Sequence, residues 1–235
     1  MGQGFIFCQN SFLLILHRLL LGAERHRTMT KVRLRLEHDC DTESPNNWGG
    51  WKAISFNNRR VNYQDPYDFF DGLNDYGEVI PAHIGIQRKL DCGTAFVLSC
   101  YEHSGIVWGL RGEVFQCRWD TTTSAGILLW QGKAKHLPKG DDKSATYEAR
   151  QEDARAFIRE YTRWANGECY CYSIENEDEE IIDSCGGFIG TEHLFDTIKE
   201  QLEDCDVVEV VGEAAYLMDH CDMGVEGPEL SCQKS

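Results

Sequence analysis

The chain has 235 residues, 42% hydrophobic and 26% charged, and a formal net charge of −16. That length suits one well-packed domain or at most two small ones, and the balance of apolar to charged residues excludes global disorder. So acidic a surface repels phosphate backbones, which argues against direct nucleic-acid binding and favours either solubility alone or a basic protein partner, itself a nucleic-acid-binding protein in the narrower form.

Residues 1–28 carry Arg18, Arg25 and Arg27 against Glu24, so residues 29–235 alone sit at −18. The apolar run Phe12–Leu21 falls short of the about 20 residues that span a bilayer, and His17 and Arg18 interrupt it. No positive charge precedes it, so the layout of a secretory signal is missing. No membrane partner is expected. An amphipathic targeting peptide is one alternative. The reading adopted is a translated leader outside the fold, because Glu24-Arg25 can be encoded by an all-purine stretch shortly before Met29. Eleven cysteines, an odd number, lie partly inside strand-like stretches (Cys100, Cys169, Cys171, Cys185). Unpaired thiols in such places fit a reducing cytosol.

From Met29 the elements run in order. Val32, Leu34 and Leu36 alternate with Lys31, Arg33 and Arg35, predicting a half-buried strand with a basic outer face. Trp51–Phe56 reads as a second strand. Asp65-Pro66-Tyr67-Asp68 looks like an N-cap and first turn, with Phe69, Phe70 and Leu73 as the apolar side of a short helix. Thr94–Glu102 and Ile106–Leu110 predict strands joined across His103-Ser104-Gly105, and Val114–Trp119 and Gly126–Gln131 extend the sheet. Residues 132–144 form a loop. Ala154, Phe157, Ile158, Tyr161 and Ala165 follow helical spacing and stop at Asn166-Gly167. Glu168–Glu175 and Glu180–Gly186 pair across an acidic tip. Thr191 is expected to cap a helix bearing Leu194, Phe195, Ile198 and Leu202; Val207–Met218 is strand or helix, and 219–235 a flexible tail. The expectation is a single α+β domain over 29–218, a mainly antiparallel sheet with two or three helices packed on it.

Three constellations could carry chemistry. His103 on a turn, with Asp120 at a neighbouring strand end, is the minimum for an oriented general base, with Ser104 or Thr121 as nucleophile. Turn chemistry and a strand-end cap explain the same residues. Cys100, His103, Cys169, Cys171 and Cys185 offer soft ligands, but without two CxxC knuckles the spacing argues against zinc, and neither metal nor cofactor is expected. Alternation puts Cys169 and Cys171 on one face, opposite Tyr170 and Tyr172, where small residues under a helix would look the same. His38–Glu43 lacks the regular oxygen offsets of a hard-cation loop. Finally, Glu177, Asp178, Glu179 and Glu180 concentrate charge in the run from Glu175, either as a solvated tip or as a patch imitating a nucleic-acid backbone. Trp48 and Trp51 form an aromatic alternative contact surface.

Several motifs then occur in order: Glu43-Ser44-Pro45-x-x-Trp48, Arg59-Arg60, Tyr101-x-His103-Ser104-Gly105, Phe115-x-Cys117-x-Trp119-Asp120, and Tyr172-x-Ile174-Glu175 followed by Asp183-Ser184-Cys185-x-Gly187-Phe188. Over residues 40–190 this set resembles a family of uncharacterised bacteriophage and prophage proteins. The resemblance implies a phage origin and a bacterial host cytoplasm, and brings no activity with it. Where the family pattern has histidine before Arg-Arg this chain has Asn58, and where it has Ser-Gly after Trp-Asp this chain has Thr121-Thr122-Thr123. These departures lean the reading towards a non-enzymatic phage accessory protein that binds a host or phage macromolecule, with counter-defence as its narrower form. The alternative is a small hydrolase or nuclease-like enzyme using His103 and Asp120.

Overall fold

The computed structural model describes residues 29–139 and 146–220. The expected leader and most of the expected tail lie outside the described residues. The fold is α+β and mainly antiparallel, as expected, with ten strands and three α-helices among the described residues. Contacts group the chain into two compact units, one formed by Glu43–Glu168 and the other by the segments on either side of it.

The first unit is built on the sheet β2-β7-β5-β6, from β2 (Trp51–Ser55), β5 (Ala95–Glu102), β6 (Ile106–Leu110) and β7 (Thr121–Trp130), all antiparallel. Its central strand is buried from Ala95 to Cys100, because both faces are covered, and that is why the stretch reads as a continuous apolar run. On one face lies α2 (Thr146–Ala165), whose Ala154, Phe157, Ile158 and Tyr161 pack with Trp51, Phe96, Leu98, Trp108 and Leu128. The helix stops where expected: Gly167 takes φ +75° and its N–H donates to the Trp164 carbonyl. Across the other face Phe69, Phe70 and Ile86 meet Ile54, Val97, Ile127 and Leu129.

That second face departs from expectation. Asp65 does cap a turn, accepting the Tyr67 N–H at 3.0 Å, but the turn is a 3-10 turn of three residues. Phe70 then opens β3 (Phe70–Leu73), paired with β4 (Val79–Pro81), because Gly72 at φ +136° and the Asn74–Gly77 turn favour a hairpin. The helix in this region is instead α1 (Ile84–Asp91), where the sequence reading placed nothing. Val114–Trp119, expected as a strand, is loop; β7 begins five residues before the expected Gly126.

The second unit carries the sheet β10-β1-β8-β9, from β1 (Thr30–His38), β8 (Cys169–Glu175), β9 (Ile181–Ile189) and β10 (Cys205–Val211). Only β10 runs parallel to its neighbour, β1. α3 (Glu192–Gln201) lays Leu194 and Ile198 against Val32, Leu34, Leu36, Tyr170, Tyr172 and Ile174. Thr191 precedes it, yet its side chain makes no cap bond; its carbonyl accepts the Phe195 N–H. The ambiguous segment resolves into β10 followed by a 3-10 turn over Ala215–His220.

Sheet edges are guarded in both units. In the first, the Asn46 side chain bonds both backbone groups of Ala53, and Thr162 and Asn166 do the same for Trp108 and Ile106. In the second, the edge strand β9 carries two register irregularities and β10 one, with Asp206 and Glu209 exposed. Bulges and charges of this kind block strand addition.

Candidate functional site

The His103 turn is placed by three strand ends in the first unit. His103 N–H donates to the Gly105 carbonyl at 3.1 Å and closes the β5–β6 turn, while Glu102 N–H donates to the Asp120 carbonyl at 2.8 Å and ties that turn to the start of β7. His103 Nδ1 comes within 3.5 Å of Asp120 Oδ2. The two residues singled out for acid–base work are therefore neighbours. Their setting is open: 68% of the His103 side chain is exposed, and 3.5 Å is longer than the roughly 2.6–3.2 Å of a formed catalytic hydrogen bond. The same Asp120 oxygen accepts from Cys117 Sγ at 3.4 Å. Thr121 is committed to the loop, donating to the Phe115 carbonyl at 2.6 Å and accepting the Cys117 N–H at 3.0 Å, so its hydroxyl serves as a clamp. Ser104 is exposed. Arg60, from the Arg-Arg motif, pairs with Glu102 beside this turn.

The two tryptophans separate. Trp48 is 54% exposed and stands edge-on to Phe157. Trp51 is 3% exposed, and its indole N–H donates to Asp153 Oδ2 at 2.7 Å. Trp51 belongs to the core and offers no contact surface, because its place at the start of β2 faces it into α2.

The acidic hairpin is the most structured of the predicted sites. Asn176 organises its tip: Asn176 Oδ1 accepts the N–H groups of Asp178 and Glu180, both at 2.9 Å, and Glu179 adopts φ +62°. Glu177, Asp178, Glu179 and Glu180 are all exposed. Glu175, which opens the same charge run, is instead buried at 7% exposure. Arg35 Nε donates to it at 2.9 Å, Arg33 approaches at 3.5 Å, and Arg33 also meets Glu209 at 2.7 Å and Glu179 at 3.7 Å. The bond from Arg35, supported by Arg33, holds the Glu175 carboxyl below the ordinary glutamate range. These arginines are the site residues the sequence reading missed. Their signal was present: a strand with a basic outer face requires acidic neighbours.

Charge is divided unequally between the units. Glu43–Glu168 carry 15 lysines and arginines against 17 acids, a net of −2. The described residues of the second unit, 29–42 and 169–220, carry 4 against 18, a net of −14.

Burial pushes the Cys100 thiol up to about 11, and it pushes Cys171 up as well, with Asp39, Glu37 and Cys40 adding to the rise. Alternation does set Cys171 on the face of β8 opposite Tyr170 and Tyr172, but it is the tyrosines, not the cysteines, that lie under α3; Cys169 at the strand end is buried. Among the described residues no three His, Cys, Asp or Glu side chains are grouped to hold a metal ion. Several motif residues have structural roles. Tyr172 donates to Asp183 Oδ2 at 2.8 Å, and the Gly187 N–H donates to Asp39 Oδ2 at 2.7 Å. A Cβ on Gly186 would sit 2.8 Å from that same oxygen, so a side chain there would displace the Asp39 carboxylate from its place against β9.

Among the described residues no helix is long and apolar enough to cross a membrane. Compared with protein-family models, with curated proteins and with solved structures, the chain matches none.

Proposed function

We propose that the chain is a non-enzymatic phage accessory protein that works in the host cytoplasm by presenting an acidic surface to a basic macromolecule. The observation carrying this reading is the concentration of net negative charge in the second unit, −14 against −2, with Glu177, Asp178, Glu179 and Glu180 exposed on a hydrogen-bonded tip. A dense carboxylate surface steers basic partners and repels nucleic acid. A host protein that itself binds nucleic acid, such as a defence nuclease, has the complementary charge. Affinity capture from phage-infected cells tests the reading. The wild-type chain should retain a basic protein at low salt that a variant with the four tip acids reversed to lysine does not; equal retention by both would defeat it.

The 3.5 Å approach of His103 to Asp120 supports a second reading, a small hydrolase or nuclease-like enzyme. Phosphodiester or ester cleavage abolished by both His103→Ala and Asp120→Asn would favour it.

A further inference from the structure

The loop joining β6 to β7 is held firmly from within, yet it directs two large rings into water. Thr121 clamps Phe115 and Cys117, Gln116 Nε2 donates to the Val114 carbonyl at 2.7 Å, and Arg155 grips Glu113 at 2.7 and 3.0 Å. Even so, Phe115 is 70% and Trp119 83% exposed. Aromatic rings normally carry the buried area of a fold. Held out on a rigid frame, they lose little conformational freedom on contact, which is the character of an interface anchor.

Charges beside the rings narrow the partner. The Arg118 guanidinium lies 5.3 Å above the Trp119 ring and makes no ion pair among the described residues. Asp120 follows two positions later, with Oδ2 facing His103 and Cys117 and Oδ1 making no bond among the described residues. A cation and an anion thus flank an exposed ring on one short loop. Such a patch is complementary to itself under two-fold rotation, each Arg118 meeting the other copy's Asp120.

We propose that this loop is the contact surface of a weak symmetric homodimer, Phe115 and Trp119 of one copy packing on the same pair of the other. Two chains of −16 repel each other, and the second unit, at −14, concentrates that repulsion. The first unit, which carries the loop, is near neutral at −2 and itself adds little to that repulsion. Four rings would remove roughly 600 Å² from water. That is below the 1,200–2,000 Å² of standard interfaces, so the dimer should be weak and concentration-dependent. The proposal uses a different surface from the acidic tip and does not depend on that reading.

Sedimentation equilibrium of the full chain under reducing conditions tests it, over protein concentrations on the order of 10 µM to 1 mM. The average mass should climb from that of the 26.8 kDa chain towards twice that value. Phe115→Ala with Trp119→Ala should remain monomeric, as should Arg118→Asp and Asp120→Arg separately. Mixing the last two should restore the dimer, because both cross-pairs are then complementary. Circular dichroism identifies any variant that has lost its fold, and the exposed Arg118→Asp keeps the test decisive. A chain monomeric throughout the range would overturn the proposal, as would ring variants that associate like wild type, or a mixture that fails to recover. A monomer binding single-stranded oligonucleotide through Trp119 would also overturn it and assign the rings to base stacking.

Discussion

Asn166 completes the hydrogen bonding of Ile106: its Oδ1 accepts the Ile106 N–H at 2.9 Å and its Nδ2 donates to the Ile106 carbonyl at 2.7 Å. One side-chain amide at the end of a helix thereby takes the place of the next strand. Asn166→Ala should cost about 1–3 kcal/mol, because two backbone groups lose their partners. Thermal unfolding would register the loss. Aggregation on storage should rise too, since the mutation reopens an edge. If Asn166→Ala melts like wild type, water substitutes for the amide and the seal contributes nothing.

In the His103–Asp120 pair the histidine is exposed and the carboxylate half-buried, so His103→Ala should cost less than about 1 kcal/mol. That is smaller than a turn histidine buried against a strand end would give. A melting temperature unchanged within a degree or two, together with unchanged biological effect, is the expected result. Loss of the effect at full stability would transfer the function to the enzyme reading.

The Glu175 carboxyl is held below its ordinary value, near 4.3, chiefly by the bond from Arg35 and also by Arg33. A carboxyl whose folded pKa is depressed stabilises the fold above its unfolded pKa, and that contribution is lost as pH falls through the folded value. Melting temperature should therefore decline below about pH 4.3, and Glu175→Gln should flatten the decline by removing the group that titrates. A pH profile identical in the variant would show that Arg33 and Arg35 do not hold Glu175 in solution.

Reversal of Glu177, Asp178, Glu179 and Glu180 to lysine should leave the melting temperature nearly unchanged. These side chains are exposed, and among the described residues only Glu179 approaches a cation, Arg33, at 3.7 Å. Association with the basic partner should slow several-fold, and it should slow similarly in the wild type as salt shortens the Debye length below about 8–10 Å. Stopped-flow association rates check both. If salt changes dissociation alone, the contact is not steered by this tip.

Read alone, the sequence determined the elements whose periodicity lies within one segment. Val32, Leu34 and Leu36 alternate because a strand turns successive side chains to opposite faces, and Phe157, Ile158 and Tyr161 recur because a helix brings every third or fourth residue round. The acidic hairpin and the His103 turn were legible for the same local reason. Only tertiary structure decided what depends on partners distant in the chain. Glu175 looked like one more solvated acid until β1 brought Arg35 to it from 140 positions away. Trp51 looked like a surface ring until α2 covered it and Asp153 took its N–H. Phe115 and Trp119 looked like part of a strand, but Asn166 and Thr162 already occupy the outer side of β6, so the segment stays a loop with its rings in water. The division of charge follows the same rule, because residues 29–42 and 169–220 share a unit only through the pairing of β1 with β8 and β10. Periodicity acts over neighbouring residues, whereas pairing acts between segments that the sequence holds far apart.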